Sequence, residues 1–117
     1  MKAIIEVAKR GAAIRSAKQQ LAAARRGRAP DYRLSFESAR MLFSELTRAR
    51  LELLDTLRRV GPCSVEALAK SAERNYSNVH TDVSRLGELG LIERGEEGSI
   101  LVPYESVEIL MPLAQMA

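Results

Sequence analysis

Aromatic residues are scarce in this 117-residue chain, which has no Trp, two Phe and three Tyr. Its hydrophobic core must therefore be built mainly from Leu, Ile, Val and Ala, and an aliphatic core of this kind suits helices better than a large sheet. A chain of this length predicts one domain, with room for an appended arm.

Cysteine and histidine each occur once, as Cys63 and His80. A single Cys excludes an internal disulfide, and a lone His with no Cys or carboxylate cluster around it gives no metal-ligand spacing. As a general base, His80 would need a nucleophile and an orienting group beside it. No Gly-rich phosphate loop stands between a predicted strand and helix. The sequence therefore predicts no enzyme, no metal and no cofactor, and Cys63 is expected to be a small half-buried side chain.

Long apolar runs are missing as well. No run approaches the ~20 apolar residues that span a bilayer. The first residues have neither the uninterrupted apolar stretch nor the cleavage site of a signal peptide. We expect a cytoplasmic protein with no membrane partner.

Positive charge is concentrated at one end of the chain. Residues 1–28 hold eight Lys and Arg against one acidic residue, a net charge of +7, which leaves −4 of the total +3 for residues 29–117. A basic end on a slightly acidic body indicates a polyanion or an acidic protein surface as its partner, and the alternative is a solvated helix face. The possible DNA or partner contacts in this segment are Lys9, Arg10, Arg15, Lys18, Arg25 and Arg26.

The basic segment has the spacing of an amphipathic helix from residue 3 to about residue 26. Apolar residues three, four and seven apart form one stripe, which includes Ile4, Val7, Ile14 and Leu21. The opening residues KAIIEV also fit a short strand, and this alternative stays open. A break follows at Gly27–Asp31, because Pro30 disfavours helix in the residue before it. We therefore predict a basic helical arm over residues 1–28 and a second domain over residues 29–117.

Capping residues predict the helices that follow. Ser38 begins a short helix, Ser64 begins a later one, and Thr47 begins a helix from about residue 48 to residue 60. The core face predicted for the helix after Thr47 comprises Leu51, Leu54, Leu57 and Val60. Tyr32–Phe36 alternates in the manner of a strand, and Ser106–Leu113 fits a strand or a short helix; its alternation favours a strand that pairs with Tyr32–Phe36.

The stretch Ser64–Pro103 organises the rest of the chain. It predicts a short helix, a turn at residues 72–74, a helix over residues 77–89 that Gly90 ends, and a hairpin whose turn, residues 95–98, has Gly at both ends. This order predicts a winged helix-turn-helix, in a fold that is mainly α with a small β-wing (α+β).

The helix over residues 77–89 has two distinct faces. Successive residues turn by about 100°, so Val79, Val83 and Leu86 fall together on a core side. The outer face is polar, short and largely uncharged, and such side chains can approach base edges and phosphates closely. The hairpin turn carries Glu96 and Glu97, which argues against its insertion into a minor groove. The predicted DNA contacts are Lys70, Arg74, Asn75, Tyr76, Ser77, Asn78, His80, Thr81, Ser84, Arg85 and Arg94.

The run Asn78–Glu93 (NVHTDVSRLGELGLIE) carries a resemblance to a known family. It resembles the MarR-like winged-helix regulators, and more closely a group of small prokaryotic predicted DNA-binding regulators with an N-V-H-x-D-V-x-x-L-x-x-L-G-L-I-E signature. The resemblance extends over about residues 34–110. It implies a homodimeric regulator that binds operator DNA. Members of that group are often encoded beside small toxins, so it also implies an antitoxin that binds a cognate toxin and regulates its own operon.

Three hypotheses follow. The first is a sequence-specific transcriptional regulator, a dimeric repressor that binds double-stranded DNA with the helix over residues 77–89 in the major groove. The second is the antitoxin, which would hold its toxin through the basic arm or through residues 104–117. The third is a winged helix that serves only protein assembly.

Overall fold

A computed structural model describes residues 1–8 and 30–113 of the chain. The chain divides into two compact units, one formed by Met1–Glu45 with Glu105–Ala117 and the other by Leu46–Tyr104. The described residues form four helices and two small sheets, so the expectation of a mixed α+β fold is confirmed. None of the helices in the described ranges is long and apolar enough to cross a membrane.

The first unit is built on a three-stranded parallel sheet. Strand β1 (Lys2–Val7) lies in the middle, with β2 (Tyr32–Phe36) on one side and β5 (Ser106–Leu110) on the other. Ala3 and Ile5 of β1 are fully buried and alternate with more accessible neighbours. The prediction of a helix beginning at residue 3 is therefore wrong for residues 3–7, and the strand alternative is confirmed. The predicted helical residues from Lys9 to about residue 26 lie outside the described residues.

Two strands that the sequence identifies are present, but their predicted pairing is wrong. β2 and β5 belong to one sheet, yet each pairs with β1 instead of with the other. A rung of the sheet runs from Leu34 through Ile5 to Ile109. Helix α1 (Ala39–Glu45) follows β2, and the Ser38 hydroxyl caps it by accepting from the Met41 amide at 3.2 Å.

The second unit begins with three helices: α2 (Arg48–Val60), α3 (Val65–Ala72) and α4 (Tyr76–Glu88). Each begins with a polar cap whose side-chain oxygen accepts from the backbone amide three residues later, which satisfies a donor that the helix itself cannot. The caps are Thr47 at 3.2 Å, Ser64 at 3.1 Å and Asn75 at 3.2 Å. The predictions for Thr47 and Ser64 are confirmed, and α4 begins one residue earlier than predicted.

The core of this unit lies where the three helices meet. It includes Leu57 of α2 and Leu68 of α3, both fully buried, and Val79, Val83 and Leu86 of α4, so the predicted core face of α4 is confirmed. The predicted core face of α2 is partly wrong, because Val60 is 47% exposed and Leu53, not predicted, is buried. Residues at steps of three drift around a helix by about 60° per step, so the two ends of such a series point to different sides.

A two-stranded antiparallel hairpin completes the second unit. β3 (Glu93–Arg94) and β4 (Ile100–Leu101) pair across a short 3-10 turn at Glu96–Gly98. Cys63, just before α3, exchanges two backbone hydrogen bonds with Ile100, which ties the hairpin to the chain between α2 and α3. Cys63 is half-buried, as predicted, and the burial raises the pKa of its thiol.

Candidate nucleic-acid interface

The turn between α3 and α4 sets the direction in which α4 leaves α3. Glu73 adopts the left-handed conformation (φ 54°), and the Arg74 amide donates to the Ala69 carbonyl at 3.0 Å. A hydrogen bond between residues five apart in the sequence ends a helix, and the chain can change direction directly after it. Only Glu73, Arg74 and the cap Asn75 separate the two helices, so α4 begins at a position fixed by hydrogen bonds.

The exposed side of α4 is concentrated in its first two turns. The side chains there are small, polar or aromatic and carry no carboxylate; the exposed ones are Tyr76, Ser77, Asn78, His80 and Thr81. Together with the cap Asn75, these six predicted contact residues lie side by side at one end of one helix. Several are partly engaged: the Thr81 hydroxyl donates to the Ser77 carbonyl at 3.1 Å, and the Tyr76 and His80 rings lie 5.9 Å apart.

Arg94 lies at the base of the hairpin, next to this end of α4. It lines an open groove whose other lining residues are Ser64, Val65 and Glu66 at the start of α3, Tyr76 and His80 of α4, and Gly98 of the hairpin turn. It also lines a second groove, with the predicted contact Ser84 among its neighbours. Arg94 is exposed, and among the described residues its guanidinium has no hydrogen bond or ion pair. It is therefore available for an anion that approaches α4 from the hairpin side.

Asp82 lies at the margin of the buried side of α4, and its carboxylate binds two arginines. Its carboxylate accepts from Arg74 Nη2 at 2.8 Å and from Arg50 Nε of α2 at 3.0 Å. The side chains of Asp82, Arg50 and Arg74 are 14%, 17% and 28% exposed. Burial alone would raise the pKa of Asp82, but hydrogen bonds from Arg74 and Arg50, with their positive charges, outweigh it and hold that pKa below its ordinary value. We call these three residues the Asp82 cluster.

The Asp82 cluster joins three parts of the unit: α2, the turn before α4, and α4 itself. It turns the Arg74 guanidinium, which the sequence predicts as a DNA contact, inward onto Asp82. The Arg74 Nη1 atom is buried and has no hydrogen-bond partner among the described residues. The geometry therefore gives Arg74 a part in positioning α4.

Two other predicted contacts are held by exposed acids on their own helices. Arg85 Nη1 donates to Glu88 at 2.7 Å, and Lys70 lies 3.7 Å from Glu66. Exposed pairs of this kind contribute only about 0.2–1 kcal/mol, so they exchange readily for another anion. The six basic residues predicted between Lys9 and Arg26 lie outside the described residues.

Charge in the second unit is nearly balanced. Residues 46–104 contain eight Lys and Arg and nine Asp and Glu, a net charge of −1. The unit therefore has no net positive charge to attract DNA, and phosphate contacts near α4 would depend on individual cations.

The sequence pattern identifies neither Arg50 as a functional residue nor a partner for Asp82. The position of Asp82 does indicate that its carboxylate is partly buried. Asp82 is three residues after Val79 and one before Val83, only about 60° from the centre of the buried stripe. A carboxylate at the margin of a core face needs a cation or donors. No local pattern identifies Arg50 as that cation, because it is 32 residues earlier in the chain.

A family model named HVO_A0114 matches residues 45–109, which is more than half of the chain. The chain belongs to the HVO_A0114 family. The HVO_A0114 match covers α2, α3, α4 and the hairpin, and it extends into β5. No curated protein and no solved structure matches the chain.

Proposed function

We propose that Leu46–Tyr104 is a winged helix-turn-helix and that the protein is a sequence-specific DNA-binding transcriptional regulator. In this proposal α3 and α4 are the helix-turn-helix, α4 enters the major groove, and the β3–β4 hairpin is the wing. The order of elements supports it, as does the tight turn at Glu73 with capped helices on both sides.

The outer face of α4 is the observation that carries the proposal. The first two turns of this helix expose amide, hydroxyl and aromatic groups, whereas exposed helix faces are commonly rich in Lys and Glu. Asn78 is exposed, and its side chain has no partner among the described residues. An Asn amide matches the donor and acceptor pair that adenine presents in the major groove. Residues near the start of a recognition helix are the ones that contact base edges.

Phosphate contacts would come from a few separate cations. Arg94 has no ion pair within the part of the chain that the structure describes and lies beside the start of α4, where the α4 backbone amides also favour a phosphate. With a net charge of −1, the second unit needs further help, which the seven Lys and Arg of residues 9–28 would supply. Each neutralised phosphate lowers the slope of log affinity against log salt by about 0.9.

A two-fold dimer would give the regulator its affinity and its operator symmetry. Two copies of α4 about 34 Å apart would enter successive major grooves on one side of the duplex. In this form the protein would act as a repressor by occupying its operator.

The test separates base contacts from phosphate contacts. Duplexes selected from a random pool provide the ligand, and binding is measured by fluorescence anisotropy over a range of salt concentrations. Asn78→Ala should lower discrimination between the selected duplex and a scrambled one by roughly 5- to 150-fold, the range of about 1–3 kcal/mol expected for one good base contact. Arg94→Gln should weaken binding to both duplexes alike and make the salt slope about one unit shallower.

Arg59→Gln is the matched control for Arg94→Gln. Arg59 is also exposed, at 69%, but it pairs with Asp55 on α2 and lines neither groove. Its replacement should leave the salt slope unchanged. Absence of any salt-sensitive duplex binding by the intact protein would refute the proposal and favour a role in protein assembly.

An antitoxin is the second candidate, favoured by the division of the chain into two units. Leu46–Tyr104 would bind the operator while the sheet unit or the basic segment would hold the toxin. Co-purification with the product of a neighbouring gene, lost on removal of residues 9–28 or 104–117, would support it. A stable complex that survives both deletions would place the contact elsewhere.

A further inference from the structure

The outer edge of β5 is an exposed edge of the three-stranded sheet. β5 pairs with β1 on one side only, and within residues 1–8 and 30–113 no hydrogen bond joins its other side to another strand. Four of its five residues are exposed. The opposite edge strand, β2, is less accessible and has one exposed residue of five. An open row of backbone donors and acceptors is a template for another strand.

The side chains of β5 do not protect this edge. Proteins usually guard such edges with charged side chains, especially Lys, or with Pro or a bulge, and the only charge in β5 is Glu108. Ser106–Leu110 contains no Lys and no Pro, and its register with β1 is unbroken over five residues. Its two large apolar side chains, Ile109 and Leu110, are 42% and 51% exposed. A regular edge strand with exposed apolar side chains and a single charge is expected to be covered in the assembled protein.

We propose that β5 pairs antiparallel with β5 of a second copy, so that two three-stranded sheets join into one sheet of six strands. The strand itself supports a second copy as the occupant. When the two-fold axis passes through Ile109, the apolar rung Leu34, Ile5 and Ile109 of one copy meets Ile109, Ile5 and Leu34 of the other. The fully buried Ile5 residues would then lie on one continuous apolar face.

Charge disfavours the two registers centred nearer the start of β5. A pairing centred on Glu108 would set two carboxylates directly opposite each other, which is unfavourable. A pairing centred on Val107 would set Ile109 against Glu105. Centred on Ile109, the strands place Val107 against Met111, and Glu108 against Leu110.

The single charge of the strand is also balanced within its own chain. The Glu108 carboxylate lies 3.6 Å from the Lys2 ammonium group of β1, so its charge does not need a basic residue of another protein to balance it. This favours a second copy over a cationic segment of another protein. The inference is independent of DNA binding, although the same dimer would supply the two-fold symmetry of the proposed regulator.

Sedimentation equilibrium of the intact chain tests the interface. We expect a dimer at micromolar concentration. Ile109→Lys, which adds the guard that the edge lacks, should raise the dimer dissociation constant by at least about 100-fold. Leu113→Lys is the control: Leu113 is even more exposed, at 84%, but it lies three residues beyond β5, so its replacement should leave the dimer intact. Circular dichroism checks that both variants fold.

A cross-link tests the register. Directly opposed residues of antiparallel strands bring their Cβ atoms to about 4.5–5.5 Å, close enough for a disulfide after a small adjustment. In a Cys63→Ser background, Ile109→Cys should form a disulfide-linked dimer on mild oxidation, whereas Ser106→Cys should not. A wild-type monomer, or a dimer unaffected by Ile109→Lys, would overturn the proposal. A dimer that loses stability through Ile109→Lys but binds no duplex would support this interface and count only against the DNA-binding proposal.

Discussion

Replacing Asp82 with Asn isolates the part played by the Asp82 cluster in holding α4. Asn keeps the shape of the side chain and removes its charge, so Arg50 and Arg74 would lose the carboxylate that they share. The two charge-assisted hydrogen bonds, at 2.8 and 3.0 Å, are each worth about 1.5–3 kcal/mol. Breaking a fully buried pair costs about 3–5 kcal/mol. Because the Asp82 side chain is still 14% exposed, we expect a loss of about 2–4 kcal/mol in the free energy of unfolding.

Urea unfolding followed by circular dichroism at neutral pH measures this loss. Asp55→Asn is the matched control, since Asp55 also pairs with an arginine, Arg59, at 3.3 Å but is 78% exposed. That substitution should change the free energy of unfolding by less than about 1 kcal/mol. If Asp82→Asn were no more destabilising than Asp55→Asn, the cluster would not be holding α4.

The acid dependence of stability gives an independent check on Asp82. The pKa of this carboxyl is lower in the folded protein than in the unfolded chain. Its contribution is therefore fully present above the unfolded-state pKa, near 3.9, and disappears as the pH falls through the folded-state value. The difference in unfolding free energy between the wild type and Asp82→Asn should accordingly narrow in acid. A difference that stays constant down to the lowest accessible pH would contradict a charge-based role.

Two further substitutions test local features of the second unit by the same unfolding measurement. Glu73→Gly should stabilise the protein by up to about 1 kcal/mol. The left-handed conformation costs a residue with a side chain about 1–2 kcal/mol, and the greater unfolded-state entropy of glycine cancels only part of the gain from relieving it. A destabilised variant would refute this. Tyr104→Phe should cost about 1–1.5 kcal/mol, because the buried Tyr104 hydroxyl donates to the Gly90 carbonyl at 2.7 Å. Tyr76→Phe, on a residue 53% exposed, should change stability by less than about 0.5 kcal/mol, and equal effects of the two Tyr changes would contradict the reasoning.

The helices of the second unit are predictable because their signals are local. Thr47 and Ser64 cap helices within three residues of themselves, and Gly61 and Gly90 adopt positive φ where the sequence predicts helix ends. The buried stripe of α4 follows from helical spacing alone. The Asp82 cluster is different, because its two arginines come from another helix and from a turn, and no spacing rule joins them to Asp82.

The first strand shows the limit of periodicity in a short segment. Lys2–Val7 fits a helix when it is read together with the basic residues that follow, and it fits a strand when read alone. Its place in the centre of the sheet depends on β2 and β5, whose paired residues lie 29 and 104 residues further along the chain, as in the pairs Ala3 with Tyr32 and Lys2 with Ser106. When Lys2–Val7 is assigned to a helix, β2 and β5 are the only strands left to form this sheet, and the sequence therefore predicts that they pair with each other.

The most direct test of the proposed function is the selection of bound duplexes from random DNA by the intact protein. A sequence-specific dimer predicts enrichment of a near-palindromic site whose half-sites are one helical turn apart, about 10–10.5 base pairs from centre to centre. It also predicts that Asn78→Ala relaxes the preference within each half-site. A pool that stays random after repeated selection, together with binding that is absent or insensitive to salt, would contradict the account.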